Sequence, residues 1–166
     1  MNITLPDGSV KKLEAGSTGF DLANNIGPGL AKAALAVSVN GIQKDLSDPI
    51  NEDSEVSIIT IDSDEGLEIM RHTLTAQVLA KAVKNLYPDT KLAIGPTIKD
   101  GFYYDFEFVK PIAPDDLDKI EKEMQKIINS KSSITKRFHN KKDALKVFNS
   151  AGESYKESII EESEQE

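Results

Sequence analysis

Short apolar runs separated by turn-forming residues fill the first sixty positions of the chain. Residues 3–5 and 10–13 flank Pro6, Asp7 and Gly8, and this order predicts a tight β-hairpin because proline presets φ and glycine accepts a left-handed conformation. The residues that follow predict a short helix, capped by Ser17 or Thr18 and ended by the pair at 27–28.

A second hairpin and a buried strand complete this region. Asn40 and Gly41 lie between the apolar residues 37–39 and Ile42, which is a strong signal for a two-residue hairpin. Residues 56–61 alternate little and are mostly apolar, as in a buried strand. Two strands, a helix and then further strands favour a β-grasp sheet packed on one helix.

Beyond residue 62 the pattern changes to longer helical periods. Apolar residues recur every three or four positions over 67–87, which predicts one long amphipathic helix ended by Pro88. Strands are expected at 91–98, 102–108 and 134–138, and helices from Pro114 and over 141–148. We therefore expect two domains, residues 1–62 and 63–166, with an acidic, disordered tail at 161–166.

Composition narrows the classes of function. The chain contains no cysteine and only two widely separated histidines, so disulfides are excluded and no metal site is predicted. A net charge of −8 argues against a surface that grips nucleic acid all over, although Lys131, Lys136, Arg137, His139, Lys141 and Lys142 form a local basic cluster. No run has the length of a membrane span or the pattern of a signal peptide, so we expect a cytoplasmic protein.

Several motifs resemble one enzyme family in their order along the chain. Residues 37–46 and 53–59 resemble the TGS domain, a β-grasp module that begins threonyl-tRNA synthetases. Residues 86–88, 91–96 and 101–106 are similar to the characteristic run of the editing domain of those enzymes, and 152–156 matches a later run of it. The resemblance covers nearly the whole chain, and the order of the motifs is its most specific feature.

The resemblance implies an α+β protein. The expected fold is a ubiquitin-like β-grasp (TGS) domain followed by the first, incomplete part of an α+β editing domain, with a long helix and an antiparallel sheet. The implied function is tRNA acceptor-arm binding and hydrolysis of seryl-tRNA, within an enzyme that joins threonine to tRNA using ATP. Threonine tRNA and the remainder of the synthetase are the expected partners, with no membrane and no DNA.

Cofactors are expected only outside these residues. ATP, magnesium and zinc belong to the aminoacylation core of the family, which is not expected here, and we expect none in this part. Two other interpretations stay open: a free-standing hydrolase of mischarged tRNA, and a non-catalytic TGS module that binds RNA or protein. Whether this chain is itself an enzyme, and whether it is a natural product or a truncation, also stays open.

The editing chemistry of the family uses two histidines four residues apart on the long helix. Aligned without a gap from 86–88, the two positions fall on Thr73 and Gln77. Aligned on Arg71 and His72, they fall on His72 and Ala76. The ungapped alignment is preferred, because an insertion in an α-helix rotates everything before it by about 100°.

The remaining candidates follow from the matched runs. Lys156 is the strongest functional candidate, and a plain surface lysine is its alternative. Tyr103 or Tyr104 is expected to line the pocket, and Gly95 either forms a turn or lets a ligand approach the backbone. For the tRNA arm we expect Lys136, Arg137 and Lys142, with a solvated face as the default interpretation.

Overall fold

A computed structural model of the chain describes residues 1–164 and divides into two compact units, Met1–Met70 and the residues from Arg71 onward. This division falls within a helix, several residues after the predicted boundary at 62/63. Within residues 1–164 no helix combines the length and the apolar character needed to cross a membrane.

The first unit is a five-stranded mixed sheet packed on a helix. Its elements are β1 (Asn2–Thr4), β2 (Val10–Lys12), α1 (Gly19–Ile26), α2 (Pro28–Ala33), β3 (Ala34–Val39), β4 (Ile42–Lys44) and β5 (Ser54–Thr60). The strand order is β2-β1-β5-β3-β4, in which β1 and β5 are parallel and all other pairs antiparallel. Leu22 of α1 packs with buried residues of the sheet, among them Ile3, Val37 and Val56. The β-grasp prediction is confirmed.

Both predicted hairpin turns are present. Gly8 has a φ of 79° between β1 and β2. Asn40 and Gly41, with φ of 51° and 79°, both take the left-handed conformation that a two-residue hairpin of this type needs. The register of the sheet edges is therefore determined by these local residues.

The first helix begins at a reciprocal cap. The hydroxyl of Thr18 accepts a hydrogen bond from the Asp21 amide at 3.2 Å, and the Asp21 carboxylate accepts one from the Thr18 amide at 2.8 Å. Helix α1 ends at Ile26 and Gly27 is extended, with φ of 171° and ψ of 146°, so the predicted end of this helix is confirmed. A second helix, α2, begins with Pro28, because proline lacks an amide hydrogen and so suits the first position of a helix.

The second unit combines helices with short antiparallel strand pairs. Its elements are α3 (Asp64–Thr73, which spans the division), a π-helical turn (Leu74–Leu79), α4 (Ala80–Leu86), β6 (Lys91–Leu92), β7 (Thr97–Ile98), β8 (Gly101–Phe102), β9 (Phe106–Glu107), α5 (Pro114–Asn129), α6 (Lys141–Ser150) and α7 (Ser154–Glu162). β6 pairs with β9 and β7 with β8. Val83 of α4 and Ile120 of α5 form its core, against which Phe106 and Phe108 pack. The α+β class is confirmed.

Two expectations for the second unit are wrong. Residues 134–138 form no strand, and Phe138 is 86% exposed, because within residues 1–164 no neighbouring strand offers this segment hydrogen bonds. The acidic end is helical up to Glu162, where α7 ends, and is not disordered there. The Lys141 ammonium donates hydrogen bonds to the carbonyl oxygens of Glu161 and Ser163 at 2.9 and 2.8 Å. The last two residues of the expected tail lie outside the described residues.

We expect Thr18→Ala to lower the free energy of unfolding of the first unit by about 1 kcal/mol, because the Asp21 amide loses its acceptor. Urea denaturation followed by circular dichroism measures the change. Ser17→Ala is the matched control, since the structure assigns the cap to Thr18. An equal loss in both variants would contradict this assignment.

The start of α5 is expected to make stability depend on acid pH. Hydrogen bonds from Lys119, the Ala113 amide and Tyr87 lower the pKa of Asp116 from 3.8 to about 2. Because the folded-state pKa is depressed, the contribution is present above pH 3.8 and is lost as the pH falls towards 2. The difference in unfolding free energy between the parent and Asp116→Asn should therefore shrink across this window. A difference that stays constant down to pH 2 would contradict it.

Candidate functional site

The middle of the long helix contains one wide turn. Over Leu74–Leu79 the backbone is π-helical, and the amide of Ala80 donates to the carbonyl of Thr75, five residues earlier. The buried hydroxyl of Thr75 donates to the carbonyl of Arg71 at 2.7 Å. Wide turns of this kind occur frequently at functional sites. The apolar periodicity, which continues through this region, gave no sign of it.

The wide turn changes the basis for choosing between the two alignments. A turn closed by bonds from i to i+5 holds one residue more than an α-turn, so a helix can take up an added residue here without rotating its flanking parts. The reason for preferring Thr73 and Gln77 is thereby removed. His72 and Gln77, which are five residues apart and both exposed, become a third possible pair.

The structure brings Gly95 and Tyr104 together against this turn. A Cβ atom at position 95 would lie 2.5 Å from Tyr104 Cδ2 and 2.8 Å from Thr75 Cγ2, so only glycine fits. The Tyr104 ring stacks on Phe106 with 4.4 Å between centroids. Tyr103 is 63% exposed, in contrast to its half-buried neighbour Tyr104. Of the two tyrosines, Tyr104 is therefore the one that packs against Gly95 and the wide turn.

A buried carboxylate that the sequence did not single out joins three parts of the unit. Glu153 is 5% exposed, and one of its oxygens lies 3.0 Å from the Lys84 ammonium. Its other oxygen accepts a hydrogen bond from the Leu92 amide at 3.3 Å. Lys84 also donates to the Thr90 carbonyl at 3.0 Å. The two oxygens of one carboxylate therefore link helix α4 and strand β6 to the residue preceding α7.

The phenol of Tyr104 stays protonated at neutral pH. Burial raises its pKa, and the negative charge of Glu153 raises it further. A neutral phenol is a hydrogen-bond donor as well as an acceptor. Tyr104 is therefore able to donate a hydrogen bond at neutral pH.

Lys156 lies in the first turn of α7, close to the buried carboxylate in sequence. Lys156 is half-buried; its amide donates to the Glu153 carbonyl at 3.0 Å, and its ammonium is 5.5 Å from the centroid of the Phe148 ring. A second contact connects α7 to the sheet, since the Tyr155 hydroxyl donates to Glu107 at 2.7 Å. Lys156 is thus on an element fixed at both Glu153 and Tyr155. These contacts place Lys156 beside Glu153 and Phe148.

The basic candidates lie on an exposed segment. Lys136 and Arg137 are exposed between α5 and α6, and Lys142 is exposed in the first turn of α6. The Lys136 ammonium lies 4.9 Å from the Phe138 ring centroid. Residues 124–142 contain six lysines and arginines and no acidic residue. The predicted cluster is therefore an accessible cationic surface.

Metal coordination has no candidate site in the part of the chain that the structure describes. No group of three or more His, Asp or Glu side chains there is arranged to hold a metal ion. His72 and His139 lie on different segments, consistent with their separation in the sequence. The described residues thus do not fit a magnesium or zinc centre.

Comparison with known proteins gives two kinds of match. Residues 1–60 match the model of the TGS domain. The chain is 50% identical over 159 residues to the threonine–tRNA ligase of Paramagnetospirillum magneticum, a match that covers 95% of the chain and 25% of that protein. It is 46% identical over 161 residues to threonine–tRNA ligase 1 of Bacillus subtilis, which covers 97% of the chain and 25% of the relative. The chain thus spans about a quarter of the length of these curated relatives.

Removing either member of the buried ion pair should destabilise the second unit, but by unequal amounts. Lys84→Met leaves the Glu153 carboxylate buried without its cation, so we expect a loss of about 2–4 kcal/mol in unfolding free energy. Glu153→Gln leaves a lysine that is 31% exposed and can reach water, so the loss should be nearer about 1 kcal/mol.

The double variant completes the measurement. Because the two groups interact directly, the loss in the double variant should be smaller than the sum of the single losses. Chemical denaturation of all four proteins, followed through tyrosine fluorescence, gives the coupling energy. Strictly additive losses would show that the two side chains act independently.

Proposed function

On the premise that residues 1–60 are a TGS domain and that the whole chain is homologous to the N-terminal region of threonine–tRNA ligases, we propose that it is the N-terminal part of such an enzyme. Its role there is to contact the tRNA acceptor arm and to take part in hydrolysis of seryl-tRNA. The observation that carries the proposal is the packing of Gly95 and Tyr104 against the wide helical turn.

The need for hydrolysis follows from the size of the substrates. Serine lacks one methyl group of threonine, and one methyl group changes binding by only about 1–3 kcal/mol. A second site that hydrolyses the smaller product corrects the resulting errors. The close packing at Gly95 supports this role, because it holds Tyr104, whose phenol is a hydrogen-bond donor, against the wide turn.

The proposed chemistry is attack of water on the carbonyl carbon of the seryl ester. The water loses a proton, the carbonyl oxygen becomes an oxyanion, and the ester bond to the ribose oxygen then breaks as that oxygen gains a proton. Tyr104 is suited to donate a hydrogen bond to the oxyanion because its pKa is raised, and the Lys156 ammonium is suited to balance the developing charge.

The residues available to accept the proton of the attacking water differ from the two histidines of the family pattern. Thr73 and Gln77 cannot act as bases near neutral pH, whereas an imidazole can. His72, on the exposed surface of the helix, is the only such group near the wide turn among the described residues. We therefore expect hydrolysis to be weaker than with two histidines, or to depend on the substrate's own hydroxyls together with Lys156.

The remaining parts of the proposal concern the rest of the enzyme. Lys136, Arg137 and Lys142 would contact the phosphates of the acceptor arm, which their exposure permits. ATP, magnesium and zinc would belong to the aminoacylation core, since the described residues offer no metal site. The proposed role as part of a tRNA ligase also implies a cytoplasmic location.

A second candidate function is binding without catalysis. The first unit has a closed apolar core of its own, with Ile3 and Leu22 fully buried. A TGS module of this kind can bind RNA or protein without any help from the second unit. The two candidates differ in whether seryl-tRNA is hydrolysed.

Exchange of the homologous region tests the proposal. In a chimera, this chain replaces the matching quarter of the Bacillus subtilis ligase, with which it shares 46% identity over 161 residues. We expect the chimera to hydrolyse seryl-tRNA and Lys156→Ala to reduce the rate by about 10²-fold, because a charge that stabilises the oxyanion is lost. Threonylation should be unchanged in both.

Lys122→Ala is the control, since this lysine is exposed on α5. A chimera that charges tRNA but leaves seryl-tRNA intact would contradict the editing role and favour the binding module. Full hydrolysis by Lys156→Ala would exclude that lysine alone.

A further inference from the structure

The loop between β3 and β4 contains a pair of residues that the proposed function does not use. Asn40 and Gly41 are both exposed and form the whole of this two-residue hairpin loop. Asn40 is the only asparagine of the chain that precedes a glycine. Glycine has no side chain to shield its backbone nitrogen, and a Cβ atom placed on Gly41 would meet nothing within 4 Å. The nitrogen of Gly41 is therefore open to the side chain of Asn40.

The hydrogen bonding of this nitrogen also leaves it available. Within residues 1–164 no group accepts a hydrogen bond from the Gly41 amide. The amide that follows Asn129 is held, in contrast, because Ser130 donates to the carbonyl oxygen of Lys126 at 3.0 Å. A backbone nitrogen that could act as a nucleophile is thus free after Asn40 and engaged after Asn129.

The reaction that these groups allow is closure of a cyclic imide. Hydroxide removes the proton of the Gly41 amide, and the nitrogen attacks the side-chain carbonyl carbon of Asn40. The side-chain nitrogen of Asn40 takes up a proton from water and leaves as ammonia. A water molecule then opens the ring at one of its two carbonyl carbons. Opening at the side-chain carbon gives aspartate, and opening at the backbone carbon gives isoaspartate, whose main chain runs through the former side chain.

Two hydrogen bonds to β5 control how readily the ring can close. The amide of Asn40 donates to the Glu55 carbonyl at 2.8 Å, and its side-chain oxygen accepts from the Glu55 amide at 2.9 Å. The side chain of Asn40 is thus directed towards β5, so ring closure requires the hairpin to open locally. Opening costs few contacts, because β4 (Ile42–Lys44) is a short edge strand whose residues are all exposed.

The two products differ in their effect on the sheet. Aspartate at position 40 keeps an oxygen that can accept from the Glu55 amide, and like asparagine it tolerates the φ of 51° found there. Isoaspartate adds a carbon atom to the main chain of the loop, and the length of the loop fixes the register of a hairpin. We propose that Asn40 is a site of spontaneous deamidation through a cyclic imide with Gly41, and that the isoaspartyl product releases β4 from β3. This proposal is independent of the proposed function.

Mass spectrometry of the whole 166-residue chain tests the site. The protein is incubated at mildly alkaline pH, digested at intervals and analysed with electron-transfer fragmentation, which distinguishes aspartate from isoaspartate. We expect both products at Asn40 before any appear at Asn129, and a rate that rises in proportion to the hydroxide concentration. A peptide of residues 36–45 is the reference and should react faster, because it lacks the two bonds to Glu55.

Gly41→Ala is the control for the imide. A methyl group beside the nitrogen hinders ring closure, so we expect Asn40 to be converted several-fold more slowly. Alanine is strained at the φ of 79° of this position, so circular dichroism must first show that the sheet is retained. The same pair of sequences is also compared as peptides of residues 36–45, in which no fold has to be kept.

Hydrogen exchange tests the effect on the sheet. In the separated isoaspartyl form we expect faster exchange of the amides of Ile42–Lys44 than in the parent, because their pairing with β3 is lost. Asn40→Asp is the matched control, since it has the charge of the products without the added carbon atom. Its exchange in this strand should equal that of the parent.

Four results would overturn the proposal. The parent chain could remain unmodified at Asn40 after the reference peptide has been fully converted, or it could react no faster there than at Asn129. Aspartate without isoaspartate, or equal rates in the parent and Gly41→Ala peptides, would exclude the imide. Unchanged exchange of Ile42–Lys44 in the isoaspartyl form would refute the release of β4.

Discussion

The ion pair between Lys84 and Glu153 connects parts of the second unit that are far apart in the sequence. Its strands are only two residues long, so their own ladders contribute few hydrogen bonds. A carboxylate that is almost fully buried must be paired, and Glu153 finds its partners in α4 and β6. The start of α7, and with it Lys156, is placed by this requirement. The electrostatic environment of Tyr104 has the same source, because Glu153 is the charge that adds to its raised pKa.

The wide turn at Leu74–Leu79 is the second constraint on the site. An α-helix through this region would present residues four apart on one face, whereas the π-helical turn pairs residues five apart. The buried Thr75 in that turn contacts the position where Gly95 approaches, so the helix, the glycine and Tyr104 determine one another's positions. A substitution at any of the three would therefore disturb the other two.

A concentration of basic residues lies on a different segment of the second unit from the candidates for hydrolysis. The exposed segment between α5 and α6 is cationic, in a chain whose net charge is −8. The hydrolytic candidates Tyr104 and Lys156 belong to other segments, β8–β9 and α7. The cationic segment and these two candidates can therefore be changed independently.

Local chemistry alone determined most of the first unit and the positions of most helices. The turns at Gly8 and Asn40, the cap at Thr18 and the α+β class follow from residues close in sequence, which is why they could be predicted. Helix α2 was missed because a glycine and proline that end one helix also begin another.

Tertiary structure alone decided the rest. The wide turn, the burial of Glu153 and the absence of a strand at 134–138 among the described residues depend on partners distant in the chain. Periodicity reports which face of a segment is apolar, but not how many residues a turn holds or which backbone group a carboxylate meets. The sequence thus identified Gly95, Tyr104 and Lys156 as candidates. Only the packing of the second unit showed that the first two meet at Thr75 and that Glu153 fixes the start of α7, which carries the third.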